Sequence, residues 1–168
     1  MRRPPPGRYS DVEIDRTDPL TFRRLNMSTE QNKSIAHRWI EEGWNKGNLA
    51  VVDQIYAPNY VQHEPSPVPV TSSEALKHYV AGYRSAFPDL RFTIDDLIAE
   101  GDKVVWRFTS TGTNSGSFWG MPPTGKPGVV TGVVIYRFEN SQIVEAWVNI
   151  DALGLMQQLG VIPTLTLG

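Results

Sequence analysis

The chain has no cysteine and only three histidines, His37, His63 and His78. The first absence excludes disulfides, thiolate metal sites and a cysteine nucleophile. The histidines lie far apart in sequence and show no metal-ligand spacing. No apolar run approaches the ~20 residues of a membrane helix, and no short apolar core marks a signal peptide. Charge of one sign is lacking as well. A net charge of −2 and a pI near 5.9 leave no electrostatic footprint for nucleic acid or an anionic membrane. The sequence contains neither an internal repeat nor a glycine-rich phosphate loop. What is left is a cytoplasmic enzyme or binding protein. With 168 residues, 40% of them hydrophobic, the chain is long enough for one domain with a sizeable core.

The first 26 residues, "MRRPPPGRYSDVEIDRTDPLTFRRLN", stand apart. They hold six arginines, four acids and four prolines without helical or alternating apolar order, and are expected to be a disordered or loosely docked extension. The acids and prolines argue against an organelle transit peptide. The domain proper, 27–168, begins at Met27. Ser28 and Gln31 form a capping-box pattern before Ile35, Trp39 and Ile40 at helical spacing, which predicts a first helix ending near Gly43 to Gly47. Asn48 can cap a second helix through about Tyr56, and "NYVQHEPSPVPV" is a short extended piece leading to a proline-rich loop. Thr71 and Glu74 predict a third helix that stops at "FPDL". From Leu90 the pattern changes to β-branched and aromatic runs: "RFTIDDLIAE", "KVVWRFTSTGT", "VVTGVVIYRFE" and "QIVEAWVNI". "EGDK" and "ENSQ" are tight turns, and "ALGLMQQL" closes the chain as a helix. Segregated helices and strands make the class α+β.

Four stretches carry a family resemblance: "WNKGNLAVVDQIYAPNYVQH" (44–63), "FPDLRFTIDDLIAEGDKVVWRFTSTGT" (87–113), "GSFWGMPPTGK" (116–126) and "VEAWVNIDALGLMQQLG" (144–160). In this order and spacing they resemble the SnoaL-like polyketide cyclases, or ester cyclases. The resemblance implies an NTF2-like, cone-shaped α+β barrel, in which a curved antiparallel sheet wraps around N-terminal helices and leaves a deep apolar pocket. It also implies an enzyme that closes the last ring of an aromatic polyketide by intramolecular aldol condensation, with no metal and no cofactor. An aspartate at the end of the last strand is the acid/base of that family, and Asp151 occupies the place here. Relatives on the fold are isomerases, dehydratases and epoxide hydrolases, so fold alone does not select the reaction. Two positions depart from the family. No histidine follows His78, so the penultimate strand "VVIYRFE" lacks the histidine of well-studied cyclases. Asn114 stands in the "GT-x-x-G" turn where many members have histidine.

A methylene between two carbonyls is acidic enough for one positioned carboxylate, and conjugation spreads the enolate charge. Pocket work is then to fold the substrate and exclude water. Asp151 has a second reading as the N-cap of the closing helix. Capping lowers a carboxylate pKa and an apolar pocket raises it, so the two roles pull in opposite directions. If "ENSQ" pairs Phe138 with Ile143, strand parity places Glu145, Trp147, Asn149 and Asp151 on one face with Tyr136, Val134, Gly132 and Val130. That face, aromatic with a polar tip, is expected to line the pocket. The other, with Val133, Ile135, Val144, Ala146, Val148 and Ile150, is expected to pair in a homodimer or higher homo-oligomer. Trp147 and Tyr136 are candidate walls, with Tyr136 a possible hydrogen-bond donor. Asn149 is either a substrate contact or a satisfied strand amide. His63 stands at the pocket mouth or on the surface, and Arg107 is expected in an ion pair. Phe118, Trp119 and Met121 sit in a link longer than a hairpin needs, and form a lid, a pocket rim or a rigid surface loop. The ligand is expected to be a hydrophobic carbonyl compound. The rivals to a cyclase are an isomerase or epoxide hydrolase on the same fold, and a non-catalytic binding or association module.

Overall fold

A computed structural model of the chain describes residues 19–66 and 68–164, with side chains from residue 28 onward. Residues 1–18 of the expected extension lie outside the described residues. Its remainder does not trail. Helix α1 spans Pro19–Arg38, so the helix begins well before the capping pattern at Ser28. Pro19 suits a first helical turn, and once a helix has nucleated, adding residues is cheap. The helical path continues as a π-turn over Trp39–Asn45, where the Lys46 N–H reaches back five residues to the Glu41 carbonyl at 3.1 Å. Gly43 makes this wide turn possible, since a Cβ there would stand 2.1 Å from the Trp39 ring.

A 3-10 turn, Leu49–Val51, and a short α2, Val52–Ile55, lead into β1, Tyr56–His63. Helix α3 covers Ser73–Ala86. Its cap is Ser72, one residue after the expected Thr71, with the Ser72 Oγ accepting from the Ala75 N–H at 3.1 Å. "FPDL" ends this helix as expected, and the Leu90 N–H closes a turn on the Phe87 carbonyl. The strands are β2 (Arg91–Glu100), β3 (Lys103–Thr113), β4 (Pro127–Glu139) and β5 (Gln142–Ile150), followed by α4 (Ala152–Leu159). The sheet is five-stranded in the order β1-β5-β4-β3-β2. It forms an open, curved sheet around the N-terminal helices, as the α+β class requires. The four expected strands form an antiparallel meander. The fifth, β1, was expected only as a short extended piece after a helix reaching Tyr56, and it pairs in parallel with β5. Pro58 is tolerated because β1 is an edge strand. Among the described residues, no helix is long and apolar enough to cross a membrane.

One residue reverses the expected faces of β5. Asn140 and Ser141 both have positive φ and make the tight turn, and Phe138 pairs with Ile143 as expected. The next pair is Arg137 with Glu145, not with Val144. Val144 is the extra residue of a β-bulge, and a one-residue slip sends every later side chain to the opposite face. Tyr136 therefore faces Ala146, Val134 faces Val148, and Gly132 faces Ile150. The placement of Trp147 and Asn149 beside Tyr136 is corrected: both belong to the convex, outer face, together with Glu145. Energetics favour this choice. Without the bulge, Glu145 and Asn149 would be desolvated on the inner face and Ala146, Val148 and Ile150 would be displaced outward.

Candidate active site

Between the concave sheet face and the helices lies a cavity of ≈ 80 Å³, several times the ~10–15 Å³ that one water needs. Ten aromatic side chains line it. Trp39 and Trp44 come from the π-turn, Phe92 from β2, and Trp106 and Phe108 from β3. Alternate residues of β4 and β5, namely Val134, Tyr136, Val148 and Ile150, complete the sheet side. Edge-to-face contacts fix the rings: Trp39 meets Tyr56 at 5.0 Å and Trp44 meets Tyr83 at 5.9 Å. Tyr136 is fully enclosed, and burial pushes its phenol up to about 12.

Glu64 is the one carboxylate among the lining residues. Its Oε2 accepts from the Tyr79 hydroxyl at 2.6 Å and from Gln62 Nε2 at 2.9 Å. Gln62 is held in turn by the Tyr60 hydroxyl, which donates to its Oε1 at 2.9 Å. The hydroxyls of Tyr79 and Tyr83 are 3.3 Å apart. Tyr79 and Tyr83 lie one helical turn apart on α3 and so share a face, while Gln62 and Glu64 follow the inward parity at the end of β1. Burial first, then the neighbouring Tyr83 and Glu64, push the Tyr79 phenol far above its ordinary value. Burial also raises Tyr83. Both phenols therefore stay protonated at any working pH and serve as donors. A carboxylate hydrogen-bonded to one phenol, with a second phenol beside it, can move a proton to and from a carbonyl compound bound in an apolar cavity.

Of the residues singled out from sequence, Tyr136 lines this cavity. His63 stands on the outer face, its ring stacked on Trp147 at 5.4 Å and its Nε2 2.7 Å from the Glu145 carboxylate. Asn149 is exposed. Asp151 is exposed as well and is absent from the cavity lining. It caps α4, with Oδ1 accepting from the Gly154 N–H at 2.8 Å. Gly154 permits the cap, because a Cβ there would lie 2.1 Å from Asp151 Oδ2. Phe118, Trp119 and Met121 do not line the cavity. Phe118 is buried between Phe87, Tyr83 and Trp119. Asn114, at the family's histidine position, fastens their loop. Its Oδ1 accepts from the Thr124 N–H at 2.9 Å and its Nδ2 donates to the Gly116 carbonyl at 2.9 Å. The loop thus braces Tyr83 from behind. Arg107 is ion-paired with Asp95 and Asp96 as expected.

Sequence reasoning missed Gln62, Glu64, Tyr79, Tyr83 and Trp106. In "VQHEP", attention to the more reactive side chain selected His63, whereas strand alternation puts its two neighbours on the opposite face. "YVAGY" holds two tyrosines at helical i, i+4 spacing, a signal that was available.

Compared with known protein families, residues 34–159 match the SnoaL-like polyketide cyclases. No curated protein sequence matches the chain. Among solved structures, the chain is similar to a candidate polyketide cyclase from Acidithiobacillus ferrooxidans, at 32% identity and a TM-score of 0.71, covering 78% of this chain and 95% of that one. It is similar to IdmH, a candidate polyketide cyclase from Streptomyces antibioticus, at 30% identity and a TM-score of 0.68, covering 77% and 99%. AclR from Streptomyces galilaeus, a candidate hydroxylase, aligns at 29% identity with a TM-score of 0.72, over 82% of this chain and 86% of its own.

Proposed function

The chain belongs to the SnoaL-like polyketide cyclase family, and from that premise we propose that it is an enzyme acting on a hydrophobic carbonyl compound by aldol-type ring closure or closely related proton transfer. One observation carries this reading: a ring-lined apolar cavity holds a single carboxylate, Glu64, with the Tyr79 phenol hydrogen-bonded to it. Flat aromatic walls suit a conjugated, planar substrate. Water exclusion favours an enolate that must meet a carbonyl before it is quenched. Incubation with aromatic compounds bearing both a nucleophilic methylene and an acceptor carbonyl tests the proposal. The expected outcome is a ring-closed product of unchanged mass, or one lighter by a water. Binding across the panel with no conversion would refute it.

That negative outcome would favour the second reading, a non-catalytic binder, for which the exposed Asp151, its carboxylate accepting the Gly154 N–H, speaks. Asp151 keeps the catalytic place that the family resemblance implies only if a substrate reaches it from outside the cavity. An epoxide hydrolase would need polar groups gathered around Asp151 to hold a water. Tyr136 is enclosed in the cavity and Arg107 is ion-paired on the surface, which disfavours that chemistry.

The protein is further proposed to be a cytoplasmic homodimer that pairs through the convex sheet face. That face carries Ile98, Val133, Ile135 and Trp147 among both signs of charge, Arg107 and Arg137 beside Asp96 and Glu145. A two-fold contact sets such a mixed patch against itself with opposite charges matched. Sedimentation analysis tests this, and a monomer at micromolar concentration would refute it.

A further inference from the structure

We propose that Glu64 takes and returns the proton in this cavity, and that the indole N–H of Trp106 holds the substrate's carbonyl oxygen. This assignment rests on the cyclase reading above and names the groups that would perform it.

Two independent observations meet in one cavity. The first is the asymmetry of the Glu64 carboxylate. Tyr79 and Gln62 both donate to Oε2, whereas Oε1 accepts no hydrogen bond among the described residues. One oxygen is anchored from two elements, α3 and β1, and the other is left to act on a guest. A group serving only to tie β1 to α3 would gain by sharing its donors between both oxygens. The second is an unpaired donor. Trp106 is 2% exposed, and its Nε1 is the buried side-chain nitrogen or oxygen left without a hydrogen-bond partner among the described residues. The Tyr136 hydroxyl is near enough to feel the indole, but the contact falls short of hydrogen-bond geometry. Buried donors are seldom left unsatisfied, because the cost of desolvating them is then not recovered. Trp106 lines the same cavity as Glu64. A ketone oxygen, an acceptor with apolar flanks, is the kind of partner that would satisfy this N–H without bringing charge into an aromatic enclosure.

The chemistry balances without any further reactant. Glu64 Oε1 takes a proton from the methylene beside the carbonyl held by Trp106. The C–H electron pair becomes the enolate, whose oxygen keeps the indole hydrogen bond. The enolate carbon bonds to a second carbonyl carbon of the same molecule, whose π pair moves onto its oxygen. Protonated Glu64 returns its proton to that alkoxide. The net change is an isomerisation. Tyr83, joined to Tyr79 by a weak 3.3 Å contact, can turn its proton toward the forming alkoxide at little cost.

The test uses 2-tetralone, a benzo-fused cyclic ketone whose C1 methylene is both benzylic and next to the carbonyl, and tetralin, its analogue without the carbonyl. Deuterium uptake into 2-tetralone, followed by mass spectrometry, reports proton transfer without requiring ring closure. Tryptophan fluorescence reports binding of both probes. The wild type is expected to exchange 2-tetralone above the buffer rate. Glu64→Gln is expected to lose that exchange by about 10²–10⁴-fold, with affinity for both probes unchanged. Trp106→Phe is expected to weaken 2-tetralone about 5-fold and to leave tetralin as it was, a split that a packing role would not produce. Asp151→Asn is expected to exchange normally. Tyr79→Phe, which removes one of the two donors to the anchored oxygen, is a second variant should Glu64→Gln fail to fold, and is expected to slow exchange with binding intact.

Normal exchange by Glu64→Gln, or a wild type that binds 2-tetralone without exchanging it, overturns the role of Glu64. Unchanged 2-tetralone affinity in Trp106→Phe overturns the carbonyl anchor. Loss of exchange in Asp151→Asn alone returns the chemistry to Asp151 and leaves the cyclase reading standing. A wild type that binds neither probe overturns the cavity reading and this assignment together.

Discussion

The two faces of one sheet are built from alternate residues of the same strands, and they have almost nothing in common. The concave face offers Trp106, Phe108, Val134, Tyr136 and Val148 to a cavity that holds one carboxylate. The convex face carries an ion-paired row. Arg107 lies between Asp95 and Asp96, and Arg137 meets Glu145, which in turn holds His63. Burial works against the charged form of Glu145, yet the hydrogen bonds from His63 and Arg137 prevail and hold its carboxyl below the ordinary range. A histidine hydrogen-bonded to a glutamate and stacked on a tryptophan has the look of chemistry. It sits outside because parity put it there. Residue type suggests what a side chain can do, and register decides whether a substrate can reach it.

The comparison breaks most completely in β5 just past Val144. Inserting one residue between Glu145 and Ala146 shifts the register beyond the bulge, turning Trp147 and Asn149 to the concave face and Ala146, Val148 and Ile150 outward. We expect loss of the cooperative urea transition at 25 °C, and a variant that folds with wild-type stability would show that register does not govern the faces. A pair of tryptophan variants sharpens the contrast. Trp39→Ala should cost about 3–5 kcal/mol through the cavity it opens, whereas Trp147→Ala, half-exposed on the convex side, should cost about 1 kcal/mol or less. Equal losses in urea denaturation would mean that the outer face is as tightly packed as the inner one. Asp151→Ala should cost about 1 kcal/mol, the usual loss for a helix cap, and thermal melting measures it. A neutral result would leave Asp151 without a structural role and reopen its catalytic one.

The smallest effect is expected at Asp89. It accepts from the Thr113 N–H at 2.6 Å and from its hydroxyl at 2.8 Å, and these bonds hold its carboxyl below the ordinary range. A depressed carboxylate stabilises the fold above its unfolded value, near pH ~4, and that contribution fades as the pH falls through the lower folded value. Asp89→Asn should therefore melt slightly below the wild type at neutral pH, with the gap closing in acid. A gap that widens in acid would contradict this sign.

Much of the fold was legible because it is local. β2 to β5 announce themselves by β-branched and aromatic runs, and Asn140 and Ser141 by turn chemistry. "FPDL" stops α3 because Pro88 cannot continue a helix. The parallel strand β1 was not legible: its run contains Pro58, and its partner β5 lies far along the chain. The start of α1 at Pro19 was hidden by a capping pattern at Ser28 that propagation overrides. The candidate site was read least well. Tyr136 lines the cavity, but its expected neighbours on β5 come from the wrong parity. Glu64 was passed over for the adjacent His63.

The sequence by itself determined the α+β class, the meander and the closing helix, since each follows from propensity and turn chemistry within a few residues. It determined the family as well, through spaced stretches that survive any uncertainty of register. Only the tertiary structure decided which side chains share the cavity. Pairing β1 with β5 brings Glu64 to Tyr79, and one extra residue at Val144 exchanges the faces of β5. Those outcomes depend on contacts between distant segments. A side-chain period of two turns a single residue of register into an inside-to-outside reversal, so local pattern could not supply them.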